Sequence, residues 1–173
     1  MKRLFILSLT ITLVFGLGVL PAASENIDPD NNGSQYAYSE VFGWIDFELD
    51  GDDEVGMEVT DDFVLGCFLT QNGSLVHLSC YNTDYFYDID ICVMNDGHGN
   101  LSGYAWGEGI GWISFSSKDK NSGAPKEEYG VKINPDTGKF SGRAWGYDGW
   151  IDFDIKGSVK TSWRGNFSRA AQL

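Results

Sequence analysis

Gly103-Tyr104-Ala105-Trp106-Gly107-Glu108-Gly109-Ile110-Gly111-Trp112-Ile113-Ser114-Phe115 decides how this chain is read, because versions of it return along most of the sequence. A shorter copy runs Gly142-Arg143-Ala144-Trp145-Gly146-Tyr147-Asp148-Gly149-Trp150-Ile151-Asp152-Phe153. An earlier one runs Tyr36-Ala37-Tyr38-Ser39-Glu40-Val41-Phe42-Gly43-Trp44-Ile45-Asp46-Phe47. A fourth, Gly66 to Leu78, keeps the length and the apolar positions and has no Trp. Trp44, Leu75, Trp112 and Trp150 stand 31, 37 and 38 residues apart, a period that points to a repeat architecture. The motif copies span 36–47, 65–78, 101–115 and 140–153.

Each unit reads as three short antiparallel strands joined by tight turns. In the last unit these are Tyr129 to Asn134, Phe140 to Trp145 and Trp150 to Ile155. The reversals Asn95-Asp96-Gly97-His98-Gly99-Asn100 and Asn134-Pro135-Asp136-Thr137-Gly138-Lys139 carry the residues that turns need. Strand side chains alternate between faces, so Ile113 and Phe115 share the core face with Ile45/Phe47, Val76/Leu78 and Ile151/Phe153. Trp112, Trp150 and Trp44 then lie on the opposite face, beside Ser114, Asp152 and Asp46. In the preceding strand Gly103 and Ala105 belong to the core side, and Tyr104 and Trp106 to the other.

Little but loop precedes Tyr36, so the first unit lacks an opening strand; Ser158-Val159-Lys160-Thr161-Ser162-Trp163 follows the last unit as a spare one. The expected fold is therefore all-β: four three-stranded meanders in a closed ring or barrel, propeller-like, with the C-terminal strand completing the first repeat. Closure of this kind removes exposed strand edges. Because both faces of each meander are apolar, a neighbouring layer on each side is expected, with the Trp pairs filling the spaces between sheets.

Met1-Lys2-Arg3, an apolar run from Leu4 to Leu20, and Pro21-Ala22-Ala23-Ser24 have the plan of a secretory signal peptide over 1–24. The expected organisation is a single β-repeat domain over 25–163 and a fraying tail over 164–173, exported to the extracellular space or the periplasm, with no membrane span after signal removal. The whole chain has 12 basic and 25 acidic residues; without Lys2 and Arg3 the net charge falls to −15. Such a surface repels phosphate backbones, and no basic stripe for nucleic acid exists. Three cysteines in an exported chain imply one disulfide and one remaining thiol. Cys80 with Cys92 is the favoured pair, since one ends a repeat and the other starts the next; Cys67 with Cys80 remains an alternative.

The motif resembles that of a widespread group of exported, mostly uncharacterised bacterial proteins that repeat G-Y-A-W-[GS]-E-N-x-G-W-I-x-F. Ile27-Asp28-Pro29, Leu101-Ser102-Gly103-Tyr104-Ala105-Trp106 and Val159-Lys160-Thr161-Ser162-Trp163-Arg164 fit recurring features of that group. The resemblance implies no established activity. Val41 and Gly109 stand where the motif has Asn, and a deletion falls near Asp148.

No nucleophile elbow, zinc-binding helix or P-loop is present, and the two histidines, His77 and His98, have no ligand spacing. The chain reads as a non-enzyme, with a glycoside hydrolase built on a carboxylate pair as the remaining catalytic reading. Asp28-x-Asp30-x-Asn32-Gly33 has alternating oxygens and a Gly like the opening of a calcium loop, although the closing acid, Glu40, comes one place late. Trp44, Trp106, Trp112, Trp145 and Trp150 are the candidate ligand-binding residues, because flat indoles stack on the apolar faces of sugar rings. The sequence thus supports a non-catalytic structural or interaction module whose partners are extracellular glycans or cell-surface proteins. A lectin-like carbohydrate-binding module is the alternative.

Overall fold

Alternating apolar residues punctuated by Gly, Asn and Asp produce short strands and tight reversals throughout. The computed structural model describes residues 26–49, 55–78, 92–119, 123–146, 149–155 and 159–165. The signal segment, Cys80, the acidic stretch 50–54 and the sequence beyond Gly165 lie outside the described residues. So does the Cys80–Cys92 pairing.

Among the described residues twelve strands are formed: β1 Tyr36–Ser39, β2 Gly43–Asp46, β3 Glu58–Val59, β4 Phe63–Leu65, β5 Cys67–Thr70 and β6 Leu75–His77. They continue as β7 Cys92–Asn95, β8 Leu101–Gly107, β9 Gly111–Ser114, β10 Val131–Ile133, β11 Phe140–Gly146 and β12 Gly149–Asp152. The chain is all-β, with no helix among the described residues and hence none long and apolar enough to cross a membrane.

Each motif copy is one hairpin: β1–β2, β5–β6, β8–β9 and β11–β12. The hairpins then pair edge to edge in chain order, Ile45 opposite Thr70, Val76 opposite Gly107, Ser114 opposite Trp145 and Ile151 opposite Ser39. The result is a closed, eight-stranded antiparallel barrel. The units are joined side by side as one cylinder rather than stacked as separate blades, because each hairpin's outer backbone groups find partners on the next hairpin. Closure leaves no strand edge in this tier.

A second tier lies at one end of the barrel. Its strands are β3, β4, β7, β10, the first halves of β8 and β11, and the closing segment 159–161. The two tiers meet where Gly66, Gly103 and Gly142 take φ of +83°, +88° and +85°. At these three equivalent points a Cβ would stand 2.1, 2.0 and 2.1 Å from the carbonyl oxygens of Gly56, Cys92 and Gly130. At Gly103 this is a contact with the neighbouring strand β7. The left-handed backbone bends the strand from one tier into the other.

The C-terminal segment completes the first repeat. Thr161 pairs antiparallel with Ile27, Asp28 N donates to Lys160 O at 2.8 Å, and Lys160 N donates to Ser34 O at 2.8 Å. Asn26 closes the remaining gap with its side chain: Nδ2 donates to Val59 O at 2.8 Å while Oδ1 accepts from Val59 N at 2.9 Å. An amide side chain thereby takes the place of one strand residue. Arg164 and Gly165, at the start of the expected tail, are held to the fold through Thr161 O and Pro135 O.

The parity reading holds inside the barrel. Ile45, Phe47, Val76, Leu78, Ile113, Phe115, Ile151 and Phe153 are all at most 1% exposed. Phe153 is a hub whose ring lies 5.5 Å from Phe47, 6.3 Å from Phe115 and 5.8 Å from Phe140. Each such ring contributes roughly 1.5–3 kcal/mol through removal from water.

Candidate functional site: the outer aromatic belt and its groove

Because Ile and Phe of each motif point inward, the intervening residues are turned outward. Four cross-strand pairs result: Tyr38 with Trp44, Leu69 with Leu75, Trp106 with Trp112 and Trp145 with Trp150. They form a belt around the barrel. No second sheet covers it among the described residues, so the expected covering layer is absent there and the indoles do not fill spaces between sheets. Trp44 is 40% and Trp112 46% exposed, and Trp106, Trp145 and Trp150 are half-buried. Trp163, by contrast, faces inward at 3% exposure, its indole N–H donating to Asp61 Oδ1 at 2.9 Å.

Aromatic neighbours brace the indoles edge-on. Tyr38 lies 5.3 Å from Trp44, Tyr104 5.9 Å from Trp112, Tyr129 5.2 Å from Trp150, and Trp145 4.7 Å from Trp150. T-shaped contacts of this kind fix ring orientation. Trp44 and Trp112 thus present large apolar surfaces to solvent from rigid strands. The supporting tyrosines were not among the residues singled out from the sequence, although Tyr36, Tyr38 and Tyr104 share the outward parity that identified the indoles.

In the fourth unit the outward place held elsewhere by Tyr36, Cys67 and Tyr104 is occupied by Arg143. Its guanidinium lies 4.5 Å over the Trp150 ring, a cation–π contact. Beside it a groove of about 600 Å³ runs between the third and fourth units, lined by Lys118, Tyr129, Lys132 and Arg143 among others. Its wall is pinned by Asp119, whose carboxylate accepts from Gly103 N, Ser114 Oγ and Ser116 N, and by the Ser114 Oγ to Tyr129 hydroxyl contact at 2.8 Å.

The residues read as the opening of a calcium loop form a hydrogen-bonded turn. Asp28 Oδ1 accepts from Asn32 N and Ser34 Oγ, and Oδ2 accepts from Gly33 N at 2.7 Å. Burial pushes the Asp28 carboxyl upward, but the hydrogen bonds from Asn32, Ser34 and Gly33 outweigh it and hold the group below its ordinary value. Asp30 pairs with Lys160, and Asn32 is exposed. The Asp28 carboxylate thus ties the turn together through Asn32, Gly33 and Ser34, and Asp30 is held toward the Lys160 ammonium. No set of three or more His, Cys, Asp or Glu side chains is grouped for a metal among the described residues.

Cys67 remains a thiol, with Sγ 3.1 Å from His77 Nδ1 on the adjacent strand. The alternative pairing of Cys67 with Cys80 is thus not formed. His98 belongs to the turn organised by Asp96, whose Oδ1 accepts from His98 N and Asn100 N.

Fold and surface together define a small, closed, pseudo-fourfold β-barrel carrying an outward aromatic belt. In comparisons with protein-family models, characterised proteins and solved structures, the chain has no match.

Proposed function

We propose that this protein is a non-catalytic exported interaction module whose ligands are carbohydrates, bound along the outer aromatic belt. The observation that carries the reading is the placement of all five motif indoles outside the barrel, with Trp44 and Trp112 40% and 46% exposed. A barrel that already has a Phe-rich interior gains nothing in core packing from these two rings. Exposed aromatic surface on a rigid sheet suits the apolar face of a pyranose ring, and repetition around the barrel supplies several similar sites for avidity. Export rests on the Met1–Ser24 pattern and on the acidic, glycine-rich composition.

Titration of an oligosaccharide panel against the intact protein, followed by tryptophan fluorescence, tests this reading. At least one glycan should perturb the emission at micromolar to millimolar concentration. Trp44→Ala and Trp112→Ala should each weaken that binding by roughly two- to tenfold, the share of one stacked aromatic contact. Both side chains are outward, so the folded state is retained. Absence of binding by every glycan, or variants that bind as the parent does, would overturn the proposal.

A further inference from the structure

Resting on that reading, we infer that the groove between the third and fourth units selects an acidic oligosaccharide, and that Arg143 grips the carboxylate of a uronic-acid residue seated there. The first support is the break in the repeat: an arginine replaces the Tyr or Cys found at the equivalent outward positions 36, 67 and 104. A scaffold built from copies needs no cation at this point, and the other three units do without one.

The second support is the state of the guanidinium. Its Cζ lies over the Trp150 ring at 4.5 Å, a cation–π contact that holds it without using its N–H donors. Its ion partner among the described residues is Glu127 at 3.9 Å, with side chains 40% and 50% exposed, a separation and a setting in which little is gained. At that separation Glu127 leaves room for the fork that matches a planar carboxylate.

The third support is the groove itself. Its volume of about 600 Å³ falls in the range usual for small-ligand clefts, about 300–1,000 Å³. The chain as a whole carries a formal charge of −13, yet Lys118, Lys132 and Arg143 all line this one place. Asp96 and Glu128 also line it. Asp96 is already engaged by Asn100 Nδ2 at 2.6 Å and by the backbone N–H groups of His98 and Asn100. Glu127, beside Arg143, and Asp119, behind the wall, add further negative charge nearby, so the attraction for an anion is local to the guanidinium and the two lysines and suits a singly charged carboxylate. The Asn100 amide and the Ser117 and Ser141 hydroxyls offer hydrogen-bond partners for sugar hydroxyls along the wall.

Isothermal titration of the intact protein with a uronic-acid tetrasaccharide and with its methyl ester, identical except for charge, tests the inference. The parent should bind the acid more tightly than the ester, with the preference shrinking as salt is raised. Arg143→Gln should cost about ten- to hundredfold in affinity for the acid and little for the ester, and Arg143→Lys should restore part of the loss. Lys139→Gln, which removes a positive charge outside the groove, should bind as the parent does. Circular dichroism of the Arg143 variants separates a folding defect from a binding one. Equal binding of acid and ester, or an Arg143→Gln variant with unchanged preference, overturns this inference and leaves the belt reading intact if Trp44→Ala still weakens binding. A chain that binds neither ligand, nor any other glycan, overturns both.

Discussion

At Asp28 a single carboxylate ties a turn together, and how far the fold depends on its charge can be measured. Spaced with Asp30 and Asn32 it looks like the start of a cation loop; its two oxygens accept from Asn32 N, Gly33 N and Ser34 Oγ, and it is only 5% exposed. Burial raises its pKa and the hydrogen bonds from Asn32, Ser34 and Gly33 lower it by more. A carboxyl depressed in the folded state contributes stability that is present above its unfolded value of 3.8 and disappears as pH falls through the folded value. Asp96, likewise raised by burial and lowered further by Asn100 and His98, acts with the same sign. Asp28→Asn should therefore destabilise the protein by about 1–3 kcal/mol at neutral pH, the usual range for losing a charged acceptor. Urea midpoints measured from pH 7 down to 2 should show the gap between parent and variant closing below about pH 4. A gap that stays constant over this range would mean that the loop does not depend on the charge.

Between residues and fold stands the strand that bends from one tier to the other. Gly142, like Gly103 and Gly66, combines two demands: a φ of +85° and a neighbouring carbonyl, Gly130 O, 2.1 Å from where a Cβ would be. Gly109, in the β8–β9 turn, has φ +76° with nothing within 4 Å of such a Cβ. The pair separates backbone strain from collision. Gly109→Ala should cost about 1–2 kcal/mol from the left-handed conformation alone, whereas Gly142→Ala should exceed about 3 kcal/mol, because β10 has to be pushed away from β11. Equal losses in guanidinium unfolding would show that the bend carries no steric requirement. The same strands show how far the sequence could be read. Period-two alternation made the inward Ile113 and Phe115 and the outward Trp112 legible, since parity depends on nothing outside the strand. Edge-to-edge joining of hairpins was not legible, because backbone N–H and C=O groups are the same at every residue and do not announce their partners. The Arg143–Trp150 stack and the groove beside it were hidden for a related reason: both depend on how the fourth unit meets the third.

Over the whole molecule, the missing opening strand before Tyr36 and the surplus strand at Val159 predicted closure, and the contacts between Asn26 and Thr161, 135 residues apart, are that closure. Ser162 N donates to Asn26 O at 2.8 Å, so the two ends of the described chain are neighbours. Where the seam falls is then a matter of connectivity rather than of packing, since each hairpin pairs with the next in an unbroken cycle. A circular permutant beginning at Gly123, with Gly165 joined to Asn26 through a linker of about six flexible residues, retains every strand pairing described here and opens the ring between two units instead. It should fold with the near-ultraviolet circular dichroism of the parent and lie within about 1–2 kcal/mol of it in denaturant, because moving one loop costs only a small closure entropy. Deletion of residues 159–173 changes far less of the connectivity but removes Val159, Thr161 and Trp163 from the core and leaves Ile27 unpaired. That truncation should lose its cooperative transition. If the permutant fails to fold while the truncated chain unfolds cooperatively, the ring is not the unit of stability.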